Sequence, residues 1–223
     1  QTQDWTSLTM RTRVIYAHNK LNLNEISYED LILPEYKGKV CTRSGFHPYN
    51  VSLFSGLIAH HGEEWFEDYI VKLKANLARK PQGNDRDQIK AIYAGVCDMS
   101  IGNHYYYFKM MDDPNQKVWL DKVSPIFPNQ DSYGSHVNIS GIAIISDKNY
   151  EASLDFLEFL LSDEAQEIYA NDNNEFPVNP NVSASERVQA LANNAKFDPI
   201  DLQEIASNRK AVLDILQKIN YDG

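Results

Sequence analysis

A short apolar run that ends on three phenols constrains this chain more than any other feature. Residues 97–101 have the length and composition of a buried strand, and they lead directly into Gly102-Asn103-His104-Tyr105-Tyr106-Tyr107. The tyrosines are therefore expected at a strand's carboxyl end, where open α/β sheets bind their ligands. A phenolate is a hard anionic oxygen donor, and two side by side are stable only with a strong cation between them. No thiolate set or pair of imidazoles accompanies them, so the hard-soft match points to ferric iron rather than zinc or copper(I). The competing reading is an aromatic strand end packed into a core or closed on a sugar.

The rest of the chain alternates strand and helix patterns. Residues 9–17 put Arg11 and Arg13 on one face and Met10, Thr12, Val14 and Tyr16 on the other, with the arginines expected in solvent or along a cleft wall. Residues 39–43 read as a second strand. After the loop Ser44-Gly45-Phe46-His47-Pro48-Tyr49-Asn50, apolar residues at 51, 54, 57 and 58 mark a helix that Gly62 stops, which places Tyr49 just ahead of a helix amino terminus. The partial positive charge there favours an anionic side chain. Trp65, Phe66, Tyr69, Ile70 and Leu73 form the stripe of a longer helix, and Asn84 caps another with Asp85 and Asp87 in its first turn. Residues 112–135 and 171–180 read as irregular, with Pro125 and Pro128 as turn markers. Residues 136–146 form the most apolar strand, interrupted by Gly141. Helices follow over 150–170, with Ser162 opening a second one inside that span, and over 199–206 and 208–219. The alternation, without repeats, makes this an α/β protein.

Length and charge trim the possible functions. The 223 residues suffice for one large domain or two small ones. A net charge of −10 argues against a nucleic-acid partner, whose phosphates are held largely by Lys and Arg. No apolar run approaches the roughly 20 residues needed to span a bilayer, and the opening residues do not read as a signal peptide. Cys41 and Cys97 each stand at or near the start of a strand-like segment; neighbouring strands would bring them within bonding distance and imply an oxidising compartment. Two buried free thiols are the alternative.

Taken together these residues resemble a known family. Arg11-Thr12-Arg13-Val14-Ile15, Gly38-Lys39-Val40-Cys41-Thr42-Arg43-Ser44, Tyr49-Asn50 and Lys80-Pro81-Gln82-Gly83-Asn84-Asp85-Arg86-Asp87 lead into Cys97-Asp98 and Gly102-Asn103-His104-Tyr105-Tyr106. His136-Val137-Asn138-Ile139-Ser140-Gly141 and Asn174-Glu175-Phe176-Pro177-Val178-Asn179 follow in the same order. The chain is similar to the carboxy-terminal part of periplasmic ferric-iron-binding proteins, the receptors of iron ABC transporters. Within them it is most like the tyrosine-rich subfamily that needs no synergistic anion.

That resemblance implies a type 2 periplasmic-binding-protein fold with transferrin-like lobes, Fe3+ held in a cleft, and delivery to an inner-membrane ABC permease. Its ligands fall on Tyr49, Tyr105 and Tyr106, and the interval of 56 residues from Tyr49 to Tyr105 agrees with the subfamily. Tyr107 falls outside the pattern and is expected to pack. His104 stands where the family has a small residue, so it either crowds the site or adds to it. Arg11, His136 and Asn138 are candidates for a second layer, with a purely structural role favoured for each. The family's initial segment is expected to be missing. Residues 1–135 and 180–223 then form the second lobe, and 136–179 a hinge strand and helices that belong with the first.

Such a fragment is expected to bind iron weakly and to expose an apolar patch over 150–170, open to the missing segment or to self-association. The alternatives are a receptor of the same fold for a polyamine, sugar or oxyanion, and an enzyme pairing Cys41 or Cys97 with His47, His60, His61 or His104. The enzyme finds little support, because the chain has no Gly-x-Ser-x-Gly, Walker loop or HExxH, and His60-His61 are adjacent rather than on one helical face.

Overall fold

The computed structural model describes residues 5–146 and 148–223. In chain order its elements are β1 (Thr6–His18), β2 (Val40–Cys41), α1 (Pro48–His61), α2 (Glu63–Asn76), α3 (Asp85–Tyr93), β3 (Met99–Asn103), α4 (His104–Met111) and β4 (Val123–Ile126). They continue with β5 (Val137–Ile142), α5 (Tyr150–Leu161), α6 (Asp163–Asp172), β6 (Phe176–Pro177), α7 (Glu186–Ala192), α8 (Leu202–Ser207) and α9 (Arg209–Lys218). Two compact units emerge: Thr12–His136 with Ala195–Gly223, and the residues up to Arg11 with Val137–Asn194. This division differs from the expected one at its edges, because 180–194 and the first half of β1 group with 137–179. Thr9 and Met10 pair with Pro177 and Phe176, and Arg187 Nε donates to Asn174 Oδ1 at 2.6 Å, which ties both edges to the smaller unit.

In the larger unit the sheet runs β2, β3, β1, β4. β2 and β3 are parallel, and the other two pairings are antiparallel, with Arg13 opposite Asn103 and Ile15 between Ile101 and Ile126. β4 is the edge strand, which is where Pro125 is tolerated inside a strand rather than marking a turn. Gly102 permits close packing, since a Cβ there would stand 2.1 Å from the Tyr16 ring, whose hydroxyl donates to the Asn103 carbonyl.

α1 is apolar on most sides and is buried accordingly, with Val51, Leu53, Phe54, Leu57 and Ile58 packed by α2, α8 and α9. It begins earlier than expected. Pro48 is pre-organised for the first turn, and His47 caps it by accepting the Tyr49 amide on Nδ1 at 3.2 Å, so Tyr49 lies inside the helix. Gly62, at φ +87°, ends it as expected. α3 opens on a capping box, Asn84 with Asp87.

Cys41 and Cys97 form a disulfide with Cα atoms 5.9 Å apart, joining β2 to the residue two before β3. That removes both thiols from the nucleophile pairs weighed above.

The smaller unit is thinner. α5 packs on α6, and Ser162 caps α6 by accepting the Ala165 amide, but α5 contributes no buried residue. Tyr150, Phe156, Phe159 and Ile168 are exposed. A buried amide organises it instead: Gln166 donates to the Leu8 and Leu160 carbonyls and accepts from the Val178 and Asn179 amides. β6 and α7 arise where an irregular segment was expected or no element was foreseen. Among the described residues no helix is long and apolar enough to cross a membrane.

Candidate metal centre

The three tyrosines come from two helix amino ends. Tyr49 is in the first turn of α1, and Tyr105 and Tyr106 are in the first turn of α4, so the pair follows the strand end but stands on a helix. β3 ends at Asn103 and hands the chain directly to α4, which fixes where the pair projects.

Their hydroxyls converge. Tyr49 and Tyr105 oxygens lie 3.3 Å apart, and Tyr106 hydrogen-bonds both. The Tyr105 and Tyr106 rings are 4.4 Å apart. Burial pushes the Tyr105 phenol far above its ordinary value, reinforced by its hydrogen bonds to Tyr106 and Tyr49 and opposed by Asn103, whose Nδ2 donates to it at 3.4 Å. Burial also raises Tyr106. Without a cation these are neutral phenols sharing hydrogen bonds; a cation that enters must displace their protons.

Fixed positive charge surrounds the cluster. Arg43 and Arg13 lie 5.2 and 5.8 Å from the Tyr49 ring centre, Arg86 5.5 Å from Tyr106, and Lys109 Nζ 5.7 Å from Tyr105.

Behind the phenols is a network that alternation along β1 did not foretell. Arg13, expected on a solvated or cleft-lining face, is 1% exposed. Its guanidinium donates to Asp85 at 3.0 Å, to Asn103 Oδ1 at 2.9 Å and to Asn50 Oδ1 at 2.7 Å. Asp85, fully buried, also accepts from Arg43 at 2.8 Å and from the Asn103 amide at 2.8 Å. The partners lie 37 to 90 residues from Arg13, beyond any local pattern. The one local signal was Asp85 itself, an acid just inside a capped helix.

The other candidates fall elsewhere. His104 is buried with Nδ1 accepting the Thr12 amide, which gives it a structural task. Tyr107 is half-buried and meets Phe108 edge-on. His136 pairs with Ser52 and packs against Gly56, in the middle of α1. Arg11 donates to Ser140 and Asn138 accepts the Ile139 amide, both within the smaller unit. His60 and His61 pair with Asp198 and Glu29, respectively. A cavity of about 440 Å³ lined by His60, Tyr133, Phe197 and Asp198 is separate from the tyrosines.

Among the described residues no group of three or more His, Cys, Asp or Glu is placed to hold a metal ion, so the phenols are the oxygen donors on offer. Three phenolates on one side of an ion fill half of an octahedron and neutralise a trivalent charge.

Comparison with known proteins bears on the family and the fold. The chain is 39% identical to iron uptake protein A2 of Synechocystis, covering 97% of this chain and 64% of that protein, so it spans less than two thirds of that relative's length. It superposes on the crystal structure of apo ferric ion-binding protein A from Pasteurella haemolytica with a TM-score of 0.93 at 45% identity, covering 99% of this chain and 70% of the other. A Trichodesmium FutA protein in complex with iron and citrate ligands matches with a TM-score of 0.90 at 33% identity, over 97% and 70%. The fold is therefore of the type 2 periplasmic-binding kind. Residues 1–208 match the bacterial extracellular solute-binding proteins, and the chain belongs to that family.

Proposed function

We propose that this chain supplies three phenolate ligands, Tyr49, Tyr105 and Tyr106, to ferric iron in a periplasmic receptor that delivers the ion to an inner-membrane ABC permease. The convergence of the three hydroxyls carries the reading: a cluster of mutually hydrogen-bonded phenols becomes a triple oxyanion only around a highly charged ion. The relatives' names and the disulfide, which suits an oxidising compartment, support the same assignment. In this reading Fe3+ is cargo, the larger unit corresponds to the second lobe, and the smaller unit belongs with the first. The protein acts as a receptor and performs no catalytic step.

Uptake exchanges as many as three phenol protons for one ion, so iron affinity rises with pH. The test is titration with ferric nitrilotriacetate at several pH values. A phenolate-to-iron charge-transfer band should appear, strengthen toward alkaline pH and vanish in the Tyr105→Phe, Tyr106→Phe double variant. A colourless protein that is instead stabilised by a polyamine, sugar or oxyanion would move the assignment to another solute of the same fold.

A further inference from the structure

We propose that Asp85 is the positioning residue of this site, holding the helix that bears Tyr49 at the right distance from the helix that bears Tyr105 and Tyr106. The inference rests on the ferric reading above and adds to it the device that sets the geometry. The phenols belong to separate elements 56 residues apart in sequence, so something must fix their spacing before an ion arrives. Two chains of hydrogen bonds do so, and both start at the Asp85 carboxylate. One passes through Arg13 to Asn50, the neighbour of Tyr49 in α1. The other passes through the Asn103 amide to the residue whose side chain donates to the Tyr105 hydroxyl. Arg43 closes the circuit, since it donates to Asp85, lies over the Tyr49 ring and offers its carbonyl to Asn50 Nδ2 at 3.2 Å.

A carboxylate is the one side chain of this size that serves all three donors. Oδ2 accepts from Arg13 and from the Asn103 amide, and Oδ1 accepts from Arg43. An asparagine has the same shape but must turn its NH2 toward a donor, and it leaves the buried Arg13 guanidinium and the part-buried Arg43 guanidinium without their carboxylate. Stability alone is a weak reason to bury such a group, because hydrophobic replacements often match or exceed a buried ion pair. Holding metal ligands in register is a better one, and partners of this kind commonly set metal affinity.

The experiment compares the wild-type chain with Asp85→Asn, Arg43→Gln and Tyr49→Phe, using ferric nitrilotriacetate and reading both affinity and charge-transfer intensity per bound iron. Asp85→Asn should lower affinity by about 10- to 100-fold. It should also move the intensity per iron toward the Tyr49→Phe value, as Tyr49 leaves the ion while Tyr105 and Tyr106 remain. A merely structural role would reduce the folded fraction without altering intensity per bound iron. Arg43→Gln leaves Arg13 opposite Asp85 in a balanced pair, and it should shift both readouts in the same direction by less. It carries the test if Asp85→Asn does not fold. Wild-type affinity and wild-type intensity per iron in a folded variant would overturn the positioning role. A wild-type chain that takes no colour at all would instead overturn the ferric reading beneath it.

Discussion

Each unit is organised around a completely buried polar side chain, and the chemistry of the two differs. The larger unit buries a charge, Asp85, held by two guanidiniums and a backbone amide. The smaller buries a neutral amide, Gln166, which is hydrogen-bonded to four backbone groups. An amide satisfied by backbone fastens loops at little desolvation cost, whereas a buried carboxylate costs several kcal/mol to strip of water and is retained where orientation matters. The surroundings differ as well. Around the charged group lies a continuous aliphatic and aromatic core, while the smaller unit buries little beyond Ala165, Ala170 and Val188 and leaves large side chains in solvent. Stability is thus concentrated where the phenols are, and the other unit is held by hydrogen bonds over a small core.

The largest effect expected from this contrast is in the core beneath Tyr49. Phe54 is fully buried on α1, with ring centres 5.5 Å from Phe66 and 6.3 Å from Tyr221. Phe54→Ala should cost about 3–5 kcal/mol in urea unfolding of the larger unit. Amide exchange should show that loss there, with little change over 150–172. Equal loosening of both would mean that they unfold as one body and that the contrast has no thermodynamic content.

Acid separates the units next. All six histidines lie within residues 12–136. His136 is driven down to about 3, first by burial and then by Arg13 and His60, so its ring stays neutral in the folded state. Its folded value lies below its unfolded one. The contribution is therefore intact above the unfolded value of about 6.5 and is lost progressively as pH falls toward the folded one, which amounts to about 2 kcal/mol by pH 5. Unfolding free energy measured from pH 7 to pH 5 should fall along this limb for the larger unit, and His136→Asn should flatten it. A flat wild-type profile would show that the ring is charged, or free to charge, in the native state.

Gln166→Leu probes the neutral hub. It leaves two carbonyls and two amides without their partner, and it should destabilise the smaller unit by about 1–3 kcal/mol without affecting the core of the larger. Exchange rates of the Val178 and Asn179 amides are the direct readout; unchanged protection there would show that the hub is not what holds the loop.

The same contrast explains what the sequence made legible. Local chemistry was readable: the Asn84 cap, the Gly62 stop and the Ser162 helix start all depend on neighbours a few residues away, whereas grouping Tyr49 with Tyr105 and Tyr106, 56 residues further on, rested on the family resemblance. Arg13 was not readable, because alternation along β1 reports which face a side chain takes but not whether that face is sealed by a carboxylate 72 residues further on. Pro125 was misleading for a related reason, since a turn marker becomes a strand residue when the strand lies at an edge. Three aromatic residues after a strand read as its end, yet Asn103 closes the strand and α4 starts at once. β6 and α7 have too few residues to show a period, and they are specified by pairing with β1 and by the Arg187 bond to Asn174.

The smallest expected effect is the most discriminating for the smaller unit. Phe156 is 57% exposed on a helix with no buried residue, and Phe159 on the same helix is 46% exposed. If that face is bare in solution, Phe156→Ser changes stability by no more than about 0.5 kcal/mol, because little apolar area returns to water on unfolding. Its effect should appear in sedimentation, as a lower tendency to associate at high concentration, since clustered exposed aromatics promote contact between copies. A cost well above 1 kcal/mol that grows with protein concentration would show that a second copy covers the ring, because a contact between copies makes apparent stability depend on concentration and a contact within one chain does not. A cost of that size independent of concentration would place the missing burial inside the chain and remove the contrast between a dense unit and a bare one.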